Sequence, residues 1–151
     1  MTRATATAVP TERPRHSVSA IGVVADPAGR VLLQRRRDNG AWEPPGGVLE
    51  LDERITDGLI REVREETGIR VEPVVLTGVY KSMTHAVIEM VFLCRMTGGT
   101  LAASAESSEL AWADRDLITS LTTEAFTARI LDALSYAGRP AIREHDGFRL
   151  L

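Results

Sequence analysis

Apolar and β-branched residues recur in two short runs near the start of the chain, at residues 17–25 and 30–37. The sequence between them, from Asp26 to Gly29, has the composition of a tight turn, so the pattern predicts two strands joined as a hairpin. Residues 38–47 include an Asn-Gly pair and consecutive prolines and glycines. That composition excludes a helix and predicts a loop.

The apolar spacing changes to a helical period in residues 53–67. Asp52 is the expected N-cap, and Gly68 is expected to end the helix. Gly58 lies inside this helix at a cost of about 1 kcal/mol relative to alanine, so its position is expected to require a small residue. The residues expected to face the core are Ile55, Leu59, Ile60 and Val63.

The second half of the chain mixes strand and helix patterns. Strands are predicted at residues 71–80, 85–96 and 109–113, with a turn at Gly98-Gly99, a second helix at residues 123–136 and one more strand within residues 141–151. We therefore expect one α+β domain over residues 17–151. Residues 1–16 lack apolar periodicity and are expected to form a flexible tail or an arm that packs on a second subunit of a homodimer.

Composition narrows the function classes. The chain has 151 residues, enough for one domain, and its 18 basic and 21 acidic residues give a net charge of −3, which disfavours nucleic-acid binding. No apolar run is long enough to cross a membrane. The single cysteine, Cys94, excludes an intrachain disulfide, is expected to be a buried thiol, and makes a cytoplasmic location the default.

Three acidic residues in the first helix are the strongest chemical feature. Glu62, Glu65 and Glu66 lie at i, i+3 and i+4, which places their carboxylates on one helical face where they repel one another. The face is either a solvated acidic surface or a site for a hard divalent cation such as Mg²⁺ or Mn²⁺. The histidines, His16, His85 and His145, are scattered and are expected to be surface or turn residues rather than ligands.

The spacing around these glutamates favours the cation site over the solvated surface. From Gly47 the sequence runs through five residues to Glu53, seven more to Arg61-Glu62, and on through Glu65-Glu66 to Gly68-Ile69. This resembles the complete signature of the Nudix hydrolase family, Gly-x5-Glu-x7-Arg-Glu-aliphatic-x-Glu-Glu-x-Gly-aliphatic. Asp52, Arg54 and Gly58 depart from residues that are frequent in the family, which leaves the start of the helix open.

The resemblance implies a fold and a reaction. The fold is the Nudix α/β/α sandwich, with a mixed β-sheet between helices. The reaction is attack of water on a phosphoanhydride bond in a nucleoside diphosphate linked to a further group X, assisted by Mg²⁺, with Mn²⁺ as a substitute. A bound divalent cation would neutralise the diphosphate oxygens and lower the pKa of water.

The resemblance also assigns roles to individual residues. The metal ligands would be the Gly46 carbonyl and the carboxylates of Glu62, Glu65 and Glu66. Arg61 and Glu53 would brace the loop against the helix. Glu62 is one candidate for the general base. Some members place the base beyond the motif, and here the candidates are Glu106, which we favour, and Glu109.

The resemblance implies a small nucleotide as the substrate, and the motif leaves its identity open. Features typical of ADP-ribose, NADH and coenzyme A hydrolases are missing, so we expect a nucleoside triphosphate, including oxidised forms, cleaved to a monophosphate and pyrophosphate. ADP-ribose or a nucleotide sugar is the alternative, as is a non-catalytic nucleotide sensor. Arg36 is a candidate phosphate-binding residue, and Trp42 could stack on a base or could anchor its loop.

Overall fold

A computed structural model describes residues 12–151, which form a mixed β-sheet with helices on both faces. The eight strands are β1 (Ser17–Ala25), β2 (Val31–Arg36), β3 (Trp42–Glu43), β4 (Gly46–Val48), β5 (Ile69–Ser82), β6 (Val87–Gly99), β7 (Ser107–Ala113) and β8 (Ala141–His145). The helices are α1 (Ile55–Thr67), α2 (Arg115–Leu121) and α3 (Glu124–Leu134). The predicted tail of residues 1–16 lies, up to residue 11, outside the described residues.

The sheet is ordered β3-β2-β1-β6-β5-β8, with β4 paired to β1 and β7 paired to β2. Strand β1 runs parallel to β6 along its whole length, from Ser17 opposite Val87 to Ala25 opposite Arg95. The predicted hairpin of β1 and β2 is therefore only partly correct. Its turn forms, but the two strands pair only at Ala25 and Val31, because β1 pairs with β4 and β2 pairs with β7 beyond that point.

Two apolar clusters fill the spaces on either side of the sheet. Neighbouring residues of a strand point to opposite faces, so Val23 packs under α2 and α3 while Val24 packs under α1. On β2, Leu33 likewise packs under α2 and α3, and Leu32 packs under α1. Each face of the sheet thus buries one helical layer, which confirms the α/β/α sandwich. Cys94 is 2% exposed on β6, as predicted.

The first helix begins two residues later than predicted. Arg54, not Asp52, occupies the N-cap position and makes no side-chain capping hydrogen bond. The reason lies in the preceding turn, where the Glu53 carboxylate accepts a hydrogen bond from the Glu50 backbone N–H at 2.8 Å and so closes the turn before the helix starts. At the other end Gly68 caps the helix with φ of 79°, as expected.

The end of β6 and the helix α2 also differ from the sequence-based expectation. Gly98 and Gly99 lie in β6 rather than in a turn, because they pair with Arg70 and Ile69 of β5. The helix α2 was not predicted, although Asp114 caps it by accepting a hydrogen bond from the Leu117 N–H at 2.9 Å. Within residues 12–151, no helix is both long enough and apolar enough to cross a membrane.

The expectation that His145 is a surface or turn residue is wrong. His145 is 4% exposed at the end of β8, and its Nε2 lies 3.0 Å from Glu89 Oε2 and 3.3 Å from Arg129 Nη2. Arg129 is fully buried and forms an ion pair of 2.9 Å with Glu89. These side chains join α3, β6 and β8 beneath the sheet, a long-range contact that residue spacing does not reveal.

Candidate functional site

The predicted brace between Arg61 and Glu53 is present. Arg61 Nη2 donates to Glu53 Oε1 at 2.7 Å and Nε donates to Oε2 at 2.9 Å, so the guanidinium grips the carboxylate with two parallel hydrogen bonds. The hydrogen bonds from the Arg61 side chain, followed by the one from the Glu50 backbone N–H, lower the pKa of Glu53 to about 2. The brace ties the turn before α1 to the second turn of the helix.

Arg61 also reaches two of the glutamates in the predicted metal set. Its Nη1 lies 2.9 Å from Glu62 Oε1 and 3.2 Å from Glu65 Oε2. The single guanidinium thus partly offsets the repulsion between carboxylates on this face of α1. The Glu65 side chain is 61% exposed, whereas that of Glu62 is 15% exposed.

Three carboxylates converge beside the glycine strand β4. Oxygens of Glu62, Glu66 and Glu106 all lie within 4.8 Å of one another. We call these residues the acidic cluster. Glu62 and Glu66 come from one face of α1, while Glu106 comes from the loop before β7, so the cluster joins distant parts of the chain. Glu65, which the motif pairs with them, lies beside Arg61 rather than in this cluster.

Glu66 is the buried member of the cluster, with 4% exposure. Its Oε2 accepts a hydrogen bond from the Gln34 side-chain amide, and its Oε1 accepts one from the Gly46 backbone N–H at 3.2 Å. Burial raises the pKa of Glu66 well above its usual range; the two hydrogen bonds oppose that shift, while the Glu62 charge adds to it. A cation near the cluster would reverse the effect by stabilising the charged form.

Glycines leave the space that these carboxylates occupy. A Cβ on Gly47 would lie 2.6 Å from the Glu62 carboxyl carbon, so a larger residue would displace Glu62. A Cβ on Gly58 would lie 2.7 Å from Glu53 Oε1 and 2.5 Å from Leu49 Cδ2. The prediction that Gly58 occupies a confined position is therefore confirmed.

A cleft of about 500 Å³ opens next to the acidic cluster. Its walls combine the cluster with Gly46, Gly47 and the basic residues Arg36 and Arg37. Arg36 forms ion pairs with Asp38 at 2.6 Å and with Glu43 at 3.3 Å. A register shift between Arg35 and Arg36 in the pairing of β2 with β7 accompanies the turn of Arg36 and Arg37 toward the cleft.

The remaining predicted residues lie outside the cleft lining. Trp42, on β3, is partly buried against the apolar cluster under α2 and α3, which supports the loop-anchor interpretation. Glu109 pairs with Arg35 at 2.9 Å on an exposed surface. Of the two candidate glutamates beyond the motif, Glu106 is thus the one beside the acidic cluster. Base stacking by Trp42 stays a prediction.

The residues present fit a hard divalent cation. The cluster offers carboxylate oxygens, the ligands that Mg²⁺ and Mn²⁺ prefer. The two groups that hydrogen-bond to Glu66, an amide and a backbone N–H, are neutral, so they orient this buried carboxylate without cancelling its charge. Two buried or half-buried carboxylates from the same helix face, Glu62 and Glu66, would gain most from a shared cation.

Sequence reasoning missed several residues that shape the site. Gln34 and Ser107 are buried behind Glu66, and Glu43 and Arg37 line the cleft. The Arg37 N–H donates to the Glu106 carbonyl at 2.9 Å, and Arg37 Nε donates to the Ser104 carbonyl at 2.8 Å. A polar glutamine within the apolar run of β2 was the one available indication of such a role, since buried polar groups need partners.

Comparisons with known proteins identify the family of this domain. The chain matches the model of the NUDIX domain over residues 15–134. It is 50% identical over 141 residues to a MutT-like protein of Streptomyces ambofaciens, covering 93% of this chain and 91% of that protein. It is 38% identical over 115 residues to the 8-oxo-dGDP phosphatase NUDT18 of Homo sapiens, covering 72% of this chain but 34% of that protein.

Solved structures show the same fold. The crystal structure of an ADP-ribose pyrophosphatase from Streptococcus suis 89-1591 superimposes with a TM-score of 0.70 at 22% sequence identity, covering 87% of this chain and 100% of the other. The chain therefore belongs to the Nudix hydrolase family. Its enzyme class is that of the Nudix pyrophosphohydrolases, as the signature from Gly47 to Ile69 predicted.

Proposed function

We propose that this protein hydrolyses a phosphoanhydride bond of a small nucleotide with the help of Mg²⁺, for which Mn²⁺ can substitute. The observation that carries the proposal is the convergence of Glu62, Glu66 and Glu106 at the side of a cleft that also contains arginines. Phosphoryl-type transfer depends on charge neutralisation and positioning more than on a covalent nucleophile. A cation held by the carboxylates would supply the first, and the cleft with its arginines would supply the second.

Each residue contributes in its own way. Glu62 and Glu66, with Glu65 and the Gly46 carbonyl, would hold the cation, which when bound supplies charge neutralisation to the diphosphate and acidifies water. Arg61 and Glu53 fix the start of α1 and so the orientation of these carboxylates. Arg36 and Arg37 face the cleft and would contact phosphate oxygens.

Glu106 is the residue that we assign as general base. It is exposed at the edge of the cleft, where water reaches it, and its backbone is held by Arg37. Glu62 is the less suitable candidate, because its carboxylate accepts a hydrogen bond from Arg61 at 2.9 Å. Arg61 thus occupies one Glu62 oxygen, whereas the Glu106 side chain is exposed at the cleft edge.

We propose an oxidised or unmodified nucleoside triphosphate as the substrate, cleaved to a monophosphate and pyrophosphate. No proline lies between Pro73 and Pro140, where typical ADP-ribose hydrolases carry one, and the NADH and coenzyme A signatures are missing from the sequence. The human relative, whose name gives 8-oxo-dGDP as its substrate, supports the choice of an oxidised purine nucleotide. ADP-ribose and nucleotide sugars are the competing substrates. The cytoplasmic location and the homodimer stay predictions.

A substrate panel with Mg²⁺ or Mn²⁺ tests the proposal. The panel contains nucleoside triphosphates, 8-oxo-dGTP, 8-oxo-dGDP, ADP-ribose and a nucleotide sugar, and chromatography resolves the products. We expect metal-dependent release of pyrophosphate from triphosphates, with ¹⁸O from labelled water incorporated into one product. Release of terminal phosphate alone from the triphosphates would contradict the position of attack, whereas 8-oxo-dGDP can release only phosphate and tests the nucleobase alone. Cleavage of ADP-ribose but not of triphosphates would overturn the substrate, and an inactive panel would favour the nucleotide sensor.

Paired glutamine variants test the general base. Glu106→Gln is expected to lower kcat by about 100- to 10,000-fold, the usual contribution of general acid–base catalysis. Glu109→Gln is the matched control, because Glu109 lies three residues further along the chain and pairs with Arg35 outside the cleft. Equal activity of the two variants would remove the role assigned to Glu106.

A further inference from the structure

We propose that Gln34 and Ser107 are positioning residues that aim the Glu66 carboxylate at the cleft, and this inference rests on the proposed cation site. Neither residue lines the cleft, and neither belongs to the motif from Gly47 to Ile69. Both are almost completely buried, with exposures of 1% for Gln34 and 0% for Ser107. A buried polar side chain destabilises the fold unless it is hydrogen-bonded. The hydrogen-bond partners of Gln34 and Ser107 therefore indicate what the two residues do.

Those contacts form a chain of hydrogen bonds from β7 through β2 to α1. The Ser107 hydroxyl donates to Gln34 Oε1, and Gln34 Nε2 donates to Glu66 Oε2. The Glu66 carboxylate, which only accepts, determines that the Gln34 Nε2 faces it, and the Ser107 hydroxyl then holds the opposite end of the amide by donating to Oε1. In the opposite orientation, Oε1 would face the Glu66 carboxylate, which is also an acceptor, and the two would repel.

The consequence for Glu66 follows from its lone pairs. An ionised carboxylate has about four acceptor positions, and Gln34 and Gly46 each occupy one, on different oxygens. The carboxylate is therefore fixed in orientation while acceptor positions on both oxygens are left for a cation. The contrast is Glu53, whose two oxygens are both occupied by the charged Arg61.

Further hydrogen bonds, made by Ser104, extend this chain from Glu66 to Glu106. The Ser104 hydroxyl accepts hydrogen bonds from the N–H groups of Glu106 and Ser107, at 3.2 Å and 3.0 Å. Ser107, which follows Glu106 directly, then reaches Gln34 and through it Glu66. The hydrogen-bonded chain thus sets the distance between the members of the acidic cluster that come from α1 and from the loop before β7.

Affinity for Mn²⁺ alone, measured by the EPR signal of the free ion, tests the inference without turnover. Gln34→Met keeps the length of the side chain and removes its donor and acceptor. We expect its dissociation constant for Mn²⁺ to rise by about 10- to 100-fold, as for other residues that orient a ligand. Ser107→Ala is expected to raise it less, and to add nothing in the Gln34→Met background, because the two act in series.

Thr77→Val is the matched control. Thr77 is 1% exposed and donates a buried hydrogen bond to the Val91 carbonyl at 3.1 Å, but it does not line the cleft. Its loss is expected to leave Mn²⁺ affinity unchanged while lowering the melting temperature, whereas Gln34→Met changes the affinity. If Gln34→Met does not fold, Ser107→Ala alone decides.

The outcomes separate the two proposals. A wild-type protein that does not bind Mn²⁺ would overturn the proposed function together with the inference. A wild-type protein that binds Mn²⁺, with a folded Gln34→Met or Ser107→Ala variant that binds it equally well, would overturn the positioning role alone. Additive effects of the two substitutions would show that Gln34 and Ser107 act independently, against the chain of hydrogen bonds.

Discussion

Arg61 shows how much of the site depends on the shape of one side chain. Its planar guanidinium binds Glu53 through two hydrogen bonds and extends a third nitrogen toward Glu62 and Glu65. A lysine ammonium is a point charge that cannot reproduce this fork. Replacing Arg61 by lysine therefore separates the effect of charge from the effect of side-chain shape at this position.

We predict that Arg61→Lys keeps the fold and loses most of the activity. The positive charge stays, but the two parallel hydrogen bonds to Glu53 are lost, and the turn before α1 is no longer fixed against the helix. Steady-state kinetics and circular dichroism would measure the two effects. Arg64→Lys is the control, because Arg64 is exposed on the same helix. A fully active Arg61→Lys variant would show that the brace is not required.

At the scale of elements, the site is the junction of α1 with β4. Helix α1 lies close enough to the strand that the Glu62 carboxylate occupies the space where Gly47 lacks a side chain. The motif thus encodes a close approach between two elements as well as a set of ligands. A single methyl group at this point would collide with the Glu62 carboxylate.

We predict that Gly47→Ala moves Glu62 and weakens Mn²⁺ binding, while the sheet still forms. The added Cβ would lie 2.6 Å from both the carboxyl carbon and Oε2 of Glu62, far inside contact distance. Gly98→Ala is the control, because the three atoms nearest to its Cβ, the first at 2.8 Å, all belong to the exposed Arg70 side chain, which can swing aside. Titration with Mn²⁺ compares the two. Equal affinities would show that the close approach is not important for the site.

Local patterns predicted most of these elements, and long-range contacts account for the errors. The strand and helix patterns predicted α1, α3 and six of the strands within a few residues, because periodicity and glycine stops are properties of neighbouring residues. Residues 38–47 were predicted as a loop, which is wrong for β3 and for the start of β4, because these short segments pair with β2 and β1. The fixed spacing within one helix likewise located Glu62 and Glu66. Glu106 was one of two candidates, and only the pairing of β2 with β7 brings it to the cluster. Gln34 is buried against Ser107, 73 residues away in the sequence, and His145 is buried against Glu89, 56 residues away. No local pattern encodes such partners.

At the scale of the whole molecule, the C-terminal strand is attached to the domain by a small polar network. The matched NUDIX domain ends at residue 134, and β8 follows it as an edge strand parallel to β5. Arg143 of β8 donates to both oxygens of Asp132, at 2.7 Å and 2.9 Å, and the Tyr80 hydroxyl donates to the same carboxylate at 2.7 Å. Asp132 therefore links α3, β5 and β8.

The pKa of Asp132 makes this link dependent on pH. Burial alone would raise the pKa, but the hydrogen bonds from Arg143 and Tyr80 outweigh burial and hold it below its usual range. A carboxyl group with a lowered pKa in the folded state contributes stability above its unfolded-state pKa. That contribution is lost as the pH falls through the folded-state pKa. The contribution of Asp132 should therefore be complete at neutral pH and disappear in acid.

We predict that Asp132→Asn lowers the free energy of unfolding by about 1 to 2 kcal/mol at pH 7. This loss lies at the lower end of the range for hydrogen bonds to charged groups, because the Arg143 side chain is nearly half exposed and solvent weakens the interaction. The difference from wild type should shrink as the pH is lowered below about 4, the usual pKa of aspartate, because the wild-type carboxyl becomes neutral as well. Urea unfolding at a series of pH values measures both quantities. Glu72→Gln, which breaks the exposed ion pair with Arg95, is the control and should cost at most about 0.5 kcal/mol. A difference for Asp132→Asn that stays constant down to pH 2 would mean that the link acts through shape, not through the charge of Asp132.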